Sequence, residues 1–294
     1  NYPTTGFFQS SSDAGKPFDP ERSVISENSV DVLIPAFLAA YTGKNAGSVS
    51  LSPFPSIASL LPNWRITYDG LGRLEMVRKY FKNVTLNHQY TSLYRVGTFS
   101  SFLNWVDANL DGLGYVRSVA SGNPTPSSPY DISAVSLTES FTPLFGVDAT
   151  LLNDVTTSFK LQRTRNLNLN ISSFQLVESL SNDVVLGLGY KYADFNKVLK
   201  MKKKNDFSND LTVRLDFSYR KMQSLIRKIE DATTQATSGN IAKTLQFSAD
   251  YAFSKSLTLR GFYDLQINEP LVSSAAYPTS NSSYGVSLRI SLTQ

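Results

Sequence analysis

The sequence predicts an all-β chain of antiparallel strands, and three observations carry that prediction. First, apolar and polar residues alternate with period two, as in DLTVRLDFSYR (210–220), where Leu211, Val213, Leu215, Phe217 and Tyr219 share one face. Second, the alternating stretches approach the ~10 residues of a tilted membrane-crossing strand, whereas soluble strands average about five or six. Third, the segments between them tend to alternate between short turns and longer loops, as in outer-membrane barrels. In such a barrel the apolar face meets lipid and the charged face lines the lumen. In a soluble sandwich the apolar face turns inward and the charges meet water. Periodicity alone leaves both open.

Residues 1–62 read as a mostly irregular segment, rich in Ser, Pro and Gly (NYPTTGFFQSSSDAGKPFDP). A short helix is expected near 36–42, within the apolar run VDVLIPAFLAAY (30–41). That run falls short of the roughly 20 residues of a spanning helix and is interrupted by Pro35. It suits either a plug buried against a barrel wall or a lumen segment that narrows or gates a pore. The chain opens on Asn1-Tyr2-Pro3 without an initiator Met and reads as the continuation of something longer.

Residues 63–294 read as barrel-wall strands, about ten or eleven in all. The stretches are WRITY (64–68), VTLNHQY (84–90), VSLTESF (135–141, with Glu139 the exception on its apolar face) and FGVDATL (145–151). VTTSFKL (155–161), LNLNI (167–171), VVLGLGYKY (184–192) and DLTVRLDFSYR follow. LQFSADYAF (245–253), LTLRGFYDLQI (257–267) and YGVSLRISL (284–292) complete the set. With the C-terminus placed in the periplasm, 269–282, roughly 228–242 and 118–131 become outer loops, and 254–256, 163–166 and 142–144 inner turns. Two segments fit that scheme badly: 153–154 as a very short outer turn and 194–209 as a long inner loop.

Composition narrows the classes. At 41% hydrophobic, 18% charged and mean hydropathy −0.17, the chain is no bundle of membrane helices, while alternating barrel strands look average in bulk. The 15 Tyr and 18 Phe suit strands and the aromatic girdles of barrels. Absence of Cys excludes disulfides, Cys-based zinc sites and Cys nucleophiles. A net charge of +4, partly from one local run, makes no case for nucleic acid.

Lys191, Arg214, Asp216, Arg220, Asp250, Arg260, Asp264 and Arg289 all fall on the polar side of their strands. A lipid-facing Arg or Lys near the midplane costs ~2–4 kcal/mol, so in a barrel these residues point away from lipid. His88, the only histidine, reads as structural, since no His triad or multi-His metal site is possible. KMKKKND (200–206) reads as a solvated loop rather than a lipid-binding run. DANLDGLG (107–114) lacks the full ligand set of a calcium loop. No helix pattern follows GLGYK (187–191), so its glycines mark a bend or close packing on the polar face rather than a phosphate loop.

DVLIPAFLAAYTG (31–43), PNWRITYDGL (62–71), LNHQYTSLYRVGTFSS (86–101), the segment TESFTPLFG…GLGYKY (138–192) and LVSSAAYPTSNSSYGVSLRISLTQ (271–294) resemble the C-terminal region of the SprA/Sov family, in order and without large gaps. That family forms the outer-membrane translocon of the type IX secretion system of Bacteroidetes and is tied to gliding motility. The resemblance implies a very large antiparallel transmembrane β-barrel, the largest known having about 36 strands. It implies export of folded cargo bearing a C-terminal signal, with a PorV-like barrel partner and a periplasmic plug protein. It implies no catalysis and no cofactor. Too short to close such a pore, the chain is expected to be the C-terminal part of the wall, needing upstream strands of the same barrel. Membrane lipid and lipopolysaccharide are then its surroundings. The resemblance assigns the faces: Leu211, Val213, Leu215, Phe217, Tyr219, Val286, Leu288 and Ile290 to lipid, and the eight charged residues above to the lumen. The barrel of a TonB-dependent nutrient receptor, or a secreted adhesin or carbohydrate-binding module, are the competing readings.

Overall fold

The computed structural model describes residues 29–45, 49, 52–55, 62–107, 114–117, 119–120, 122, 124–198, 209–229, 233–254, 256–272 and 277–291. KMKKKND (200–206) and most of DANLDGLG therefore lie outside the described residues, as does the Ser/Pro-rich opening.

In chain order the strands are β1 (Trp64–Tyr68), β2 (Phe81–Val96), β3 (Phe99–Ser101), β4 (Trp105–Val106), β5 (Gly114–Arg117), β6 (Pro124–Ser127) and β7 (Tyr130–Ile132). They continue as β8 (Ala134–Leu151), β9 (Val155–Asn170), β10 (Gln175–Tyr192), β11 (Leu211–Lys228), β12 (Thr233–Ala252), β13 (Leu257–Pro270) and β14 (Thr279–Ile290). Nine of them form one antiparallel sheet in the order β1-β2-β8-β9-β10-β11-β12-β13-β14. Among the described residues the sheet is open: β1 and β14 each have a single neighbour, and no ring closes.

Sequential antiparallel pairing needs connections at alternate ends. One end, where β14 finishes at Ile290, carries 69–80, 152–154, 193–210 and 253–256. We term it the near end. The far end carries 97–133, 171–174, 229–232 and 271–278. Several expected boundaries change. The stretches 135–141 and 145–151 are one strand, β8, and 142–144 is a bulge in it where the register slips between Phe141 and Phe145. Pro143 has no N–H to give a ladder, so it is tolerated at such a bulge, and the His88 imidazole Nδ1 lies 2.6 Å from the Leu144 carbonyl there. The expected turn 163–166 is the interior of β9, paired residue by residue with β8 and β10. The expected loop 228–242 shrinks to 229–232, because the polar run TTQATSGN pairs with β11 despite having no apolar face. These changes bring 152–154 to the same end as 253–256, so it is no longer an outer turn. The 193–210 connection remains long and shares that near end.

The far end also carries the non-sheet structure. Helix α1 (Val30–Thr42) is longer than the expected 36–42 segment and includes Pro35. Proline there forfeits a helical hydrogen bond, but residues Asp31 to Ala39 are all buried, and that burial outweighs the loss. Leu33, Ile34, Phe37 and Leu38 pack on Val135, Leu137, Leu167, Leu169 and Leu176 of the sheet and on Ile132 of β7. Gly43 ends the helix in the left-handed conformation at φ 65°, its N–H bonded to the Ala39 carbonyl. The 97–133 excursion folds into two small sheets, β3–β7 and β4–β5–β6, where a 118–131 loop was expected. Trp105 Nε1 donates to the Ser127 carbonyl at 2.7 Å, and Phe54 meets Phe99 and Tyr130 edge-on.

Candidate membrane wall

Register assigns every strand residue to a face. From Leu211 the pairing runs Tyr192↔Leu211↔Tyr251↔Leu259↔Leu288, and from Leu215 it runs Phe159 and Leu186 beside Leu188↔Leu215↔Phe247↔Tyr263. All eight residues expected to be apolar-facing lie on this one face, and all eight charged candidates lie on the other. The first we call the belt face and the second the polar face.

Near the near end the belt face is apolar on strand after strand: Phe145–Leu151, Val155–Leu161, Val184–Tyr192, Leu211–Tyr219, Leu245–Phe253, Leu257–Ile267 and Tyr284–Ile290. Many of these side chains are exposed, among them Leu188, Leu215, Phe247, Tyr284 and Val286. Soluble monomers rarely expose a contiguous apolar patch on this scale. Nine residues of a strand tilted by about 40° cover about 23 Å, close to the height of a lipid-facing band. No described Asp, Glu, Lys or Arg of the belt face falls inside this zone. The eight that this face has, Glu139, Arg163, Arg165, Glu178, Lys221, Arg227, Lys243 and Glu269, all lie beyond it toward the far end.

Aromatic rings mark both edges of the zone. At the near edge Tyr190, Tyr192, Phe195, Tyr251 and Phe253 form a chain of edge-to-face contacts with centroids 6.1, 5.6, 6.1 and 4.5 Å apart. Asn209 Nδ2 donates to the carbonyls of Ala252 and Phe253 at 2.8 and 2.7 Å, tying the start of β11 to the near end of β12 at this edge. At the far edge Trp64 stacks on Tyr90 at 4.4 Å, and Tyr90 meets Phe141 at 4.8 Å.

Just beyond, a polar network crosses six elements in turn. Tyr41 of α1 shares a hydrogen bond with Tyr90, whose hydroxyl donates to Glu139 Oε1 at 3.0 Å. Arg165 lies 3.8 Å from Glu139 and donates from Nε to Glu178 at 2.9 Å, while Arg227 donates to the other Glu178 oxygen at 2.7 Å. Sequence reasoning missed this network. The available signal is charge at apolar-parity positions: Glu139 is the exception in its strand, and Arg163 and Arg165 fall in a stretch whose pattern reads as a turn.

The polar face carries charged, hydroxyl and amide side chains on β9 to β14, with Val185 and Phe262 among its few apolar members. Arg220 forks onto Asp183 Oδ2 through Nε and a terminal nitrogen, each at 3.0 Å, and Ser181 donates to Asp183 Oδ1 at 2.7 Å. Lys191 pairs with Asp210 at 2.7 Å and Arg260 with Asp250 at 3.8 Å. Arg214, Asp216, Asp250, Arg260 and Asp264 line one shallow hollow. Arg289 sits on the same face opposite Thr258. Gly187 and Gly189 are on this face too, where Asp216 and Thr156 lie close over them.

Among the described residues no group of three or more His, Asp or Glu is placed to hold a metal ion, and no helix is long and apolar enough to cross a membrane. Compared with known proteins, the chain matches no protein-family model and no curated protein.

Proposed function

We propose that this chain is a section of the wall of a protein-conducting outer-membrane barrel, of the type IX secretion class that its sequence resembles. The observation that carries the wall reading is the charge-free apolar zone. It runs across the open sheet at the height of a bilayer core, is edged by aromatic rings, and is backed by a predominantly polar face that carries the charged residues. A soluble sandwich buries its apolar face against a second sheet, whereas here that face carries exposed Leu, Val and Tyr. Unpaired edges are not tolerated in lipid, so β1 and β14 pair with further strands of the same barrel. With the C-terminus in the periplasm, the near end faces inward and the far end, with α1 and the 97–133 excursion, faces the cell surface. On this reading α1 covers the outer surface of the wall, not its lumen, because it packs on the belt face.

The type IX assignment rests on the resemblance. It gives the polar face folded cargo with a C-terminal signal as its passenger, and a PorV-like barrel and a periplasmic plug as partners. The test uses single cysteines at 211–219 in the barrel as it exists in the outer membrane, exploiting the absence of Cys in this chain. A bulky, membrane-impermeant thiol reagent is expected to modify 212, 214, 216 and 218 only. Modification at 214 or 216 should hold signal-bearing cargo in the periplasm. Equal modification of both faces would sink the wall reading. Undiminished export through a fully modified lumen would sink the transport reading and favour a nutrient receptor.

A further inference from the structure

The charges of the belt face do not balance. Glu139 and Glu178 are taken up by Arg165 and Arg227, and Glu269 is held by Lys243 at 2.7 Å. That leaves Arg163 and Lys221, which make no ion pair among the described residues. They stand in one cross-strand row, Arg163↔Asn182↔Lys221, on adjacent strands β9, β10 and β11. Two interstrand spacings separate the cations by about 10 Å, with the Asn182 amide between them. One step toward the near end, on each of these strands, lies the last residue of the apolar zone: Leu161, Val184 and Tyr219. Arg163 is exposed and Lys221 half-buried.

The surplus positive charge thus stands at one depth, the boundary between the apolar zone and the polar extension of the strands. Chains at that boundary lie beside the phosphorylated headgroups of lipids, to which basic side chains are attracted. Arg presents a planar fork matched to phosphate oxygens, Lys adds a point charge, and an amide supplies a neutral donor between them. We infer that Arg163, Asn182 and Lys221 form a site for the phosphorylated headgroup of a lipid in the far-end leaflet, which fixes the depth of the wall. This rests on the wall reading.

The test is native mass spectrometry of the intact barrel, purified in uncharged detergent and titrated with bisphosphorylated lipid A, monophosphorylated lipid A, phosphatidylcholine and inorganic phosphate. The double variant Arg163→Gln/Lys221→Gln is compared with the charge-keeping Arg163→Lys/Lys221→Arg and with Arg214→Gln on the opposite face. Binding of bisphosphorylated lipid A is expected to fall roughly tenfold or more in the first variant and to persist in the other two. Retention in the double variant would overturn the site. Equal affinity for inorganic phosphate would overturn the lipid as its source. Loss in Arg214→Gln instead would show that the two faces are assigned the wrong way round. Lipid-phase quenching of a label at Phe217→Cys is the independent check. Quenching without phosphate selectivity sinks the site alone, and no quenching sinks the wall beneath it.

Discussion

Tyr41 of α1 and Tyr90 of β2 meet hydroxyl to hydroxyl at 2.8 Å, and the Tyr41 hydroxyl also lies 3.0 Å from Ser92 Oγ. This is where the C-terminal turn of the helix is tied to the polar network that bounds the apolar zone. The Tyr41 ring is half-buried against the helix–sheet core, so Tyr41→Phe keeps the packing and removes only the hydroxyl. Two part-buried hydrogen bonds are worth about 1 kcal/mol each. Amide exchange across Val30–Thr42 is expected to quicken by about tenfold or more, with β10 to β13 unaffected. Unchanged exchange in the helix would mean that apolar packing alone holds it.

Docking of α1 should also depend on pH. Asp31, in the first helical turn, is buried, and that burial pushes its carboxyl up from 3.8 to about 6, a hydrogen bond with Ser128 offsetting part of the rise. The docked state therefore holds its proton more tightly than the undocked one. Docking is strongest below about pH 4, weakens as pH rises through the window from 4 to 6, and is level above it. The full swing is at most about 3 kcal/mol. Exchange in Val30–Thr42, corrected for intrinsic rate, should be faster at pH 8 than at pH 4. Asp31→Asn should abolish the difference, and persistence of the difference in that variant would assign it to another group.

The two-faced character of the strands was legible because, on the wall reading, lipid and lumen impose opposite demands on alternate residues. Within the zone, Leu215 and Arg214 obey that rule without exception. Beyond it the rule lapses. Arg165 takes an apolar-parity position because Glu139 and Glu178 neutralise it, and Arg163 stands just outside the apolar zone, so a strand interior resembles a turn. The same lapse hid the first half of β12, whose Thr233–Ser238 stretch is exposed throughout. The extent of α1 was illegible for the opposite reason: Pro35 argues locally against a helix that the packing of Ile34 and Phe37 enforces. Cross-strand partnership in the Tyr90–Glu139–Arg165–Glu178–Arg227 network depends on register, which one strand's pattern does not contain.

Gly187 and Gly189 make a prediction about close packing on the polar face. A Cβ at Gly189 would come within 2.5 Å of Thr156 Oγ1, and one at Gly187 within 2.9 Å of Asp216 Oδ1. Valine favours strands intrinsically, yet Gly189→Val should destabilise by about 1–3 kcal/mol through overpacking. Thr156→Ala in the same molecule removes the clashing hydroxyl and should restore most of the loss in a thermal or denaturant melt. Failure of the second change to rescue would place the strain elsewhere than in the Thr156 contact.

The sharpest prediction concerns neighbouring residues on opposite faces of β11. Phe217 lies inside the apolar zone, one belt position beyond Leu215 at its middle, flanked across the strands by Leu186 and Leu245. On the wall reading Leu215→Arg places a charge in lipid near the midplane, at a cost of ~2–4 kcal/mol, and Phe217→Arg should behave alike. Arg214, two positions from Asp216 and facing Gly189 and Ser248, makes no ion pair among the described residues. Arg214→Ser therefore removes a cation that water already solvates, and should change stability by no more than a few tenths of a kcal/mol. Heat-modifiable gel mobility and outer-membrane yield measure the outcome, with assembly impaired in both arginine variants and kept in the serine variant. The reverse result would mean that Arg214, and not Phe217, occupies the face that the surrounding medium makes apolar.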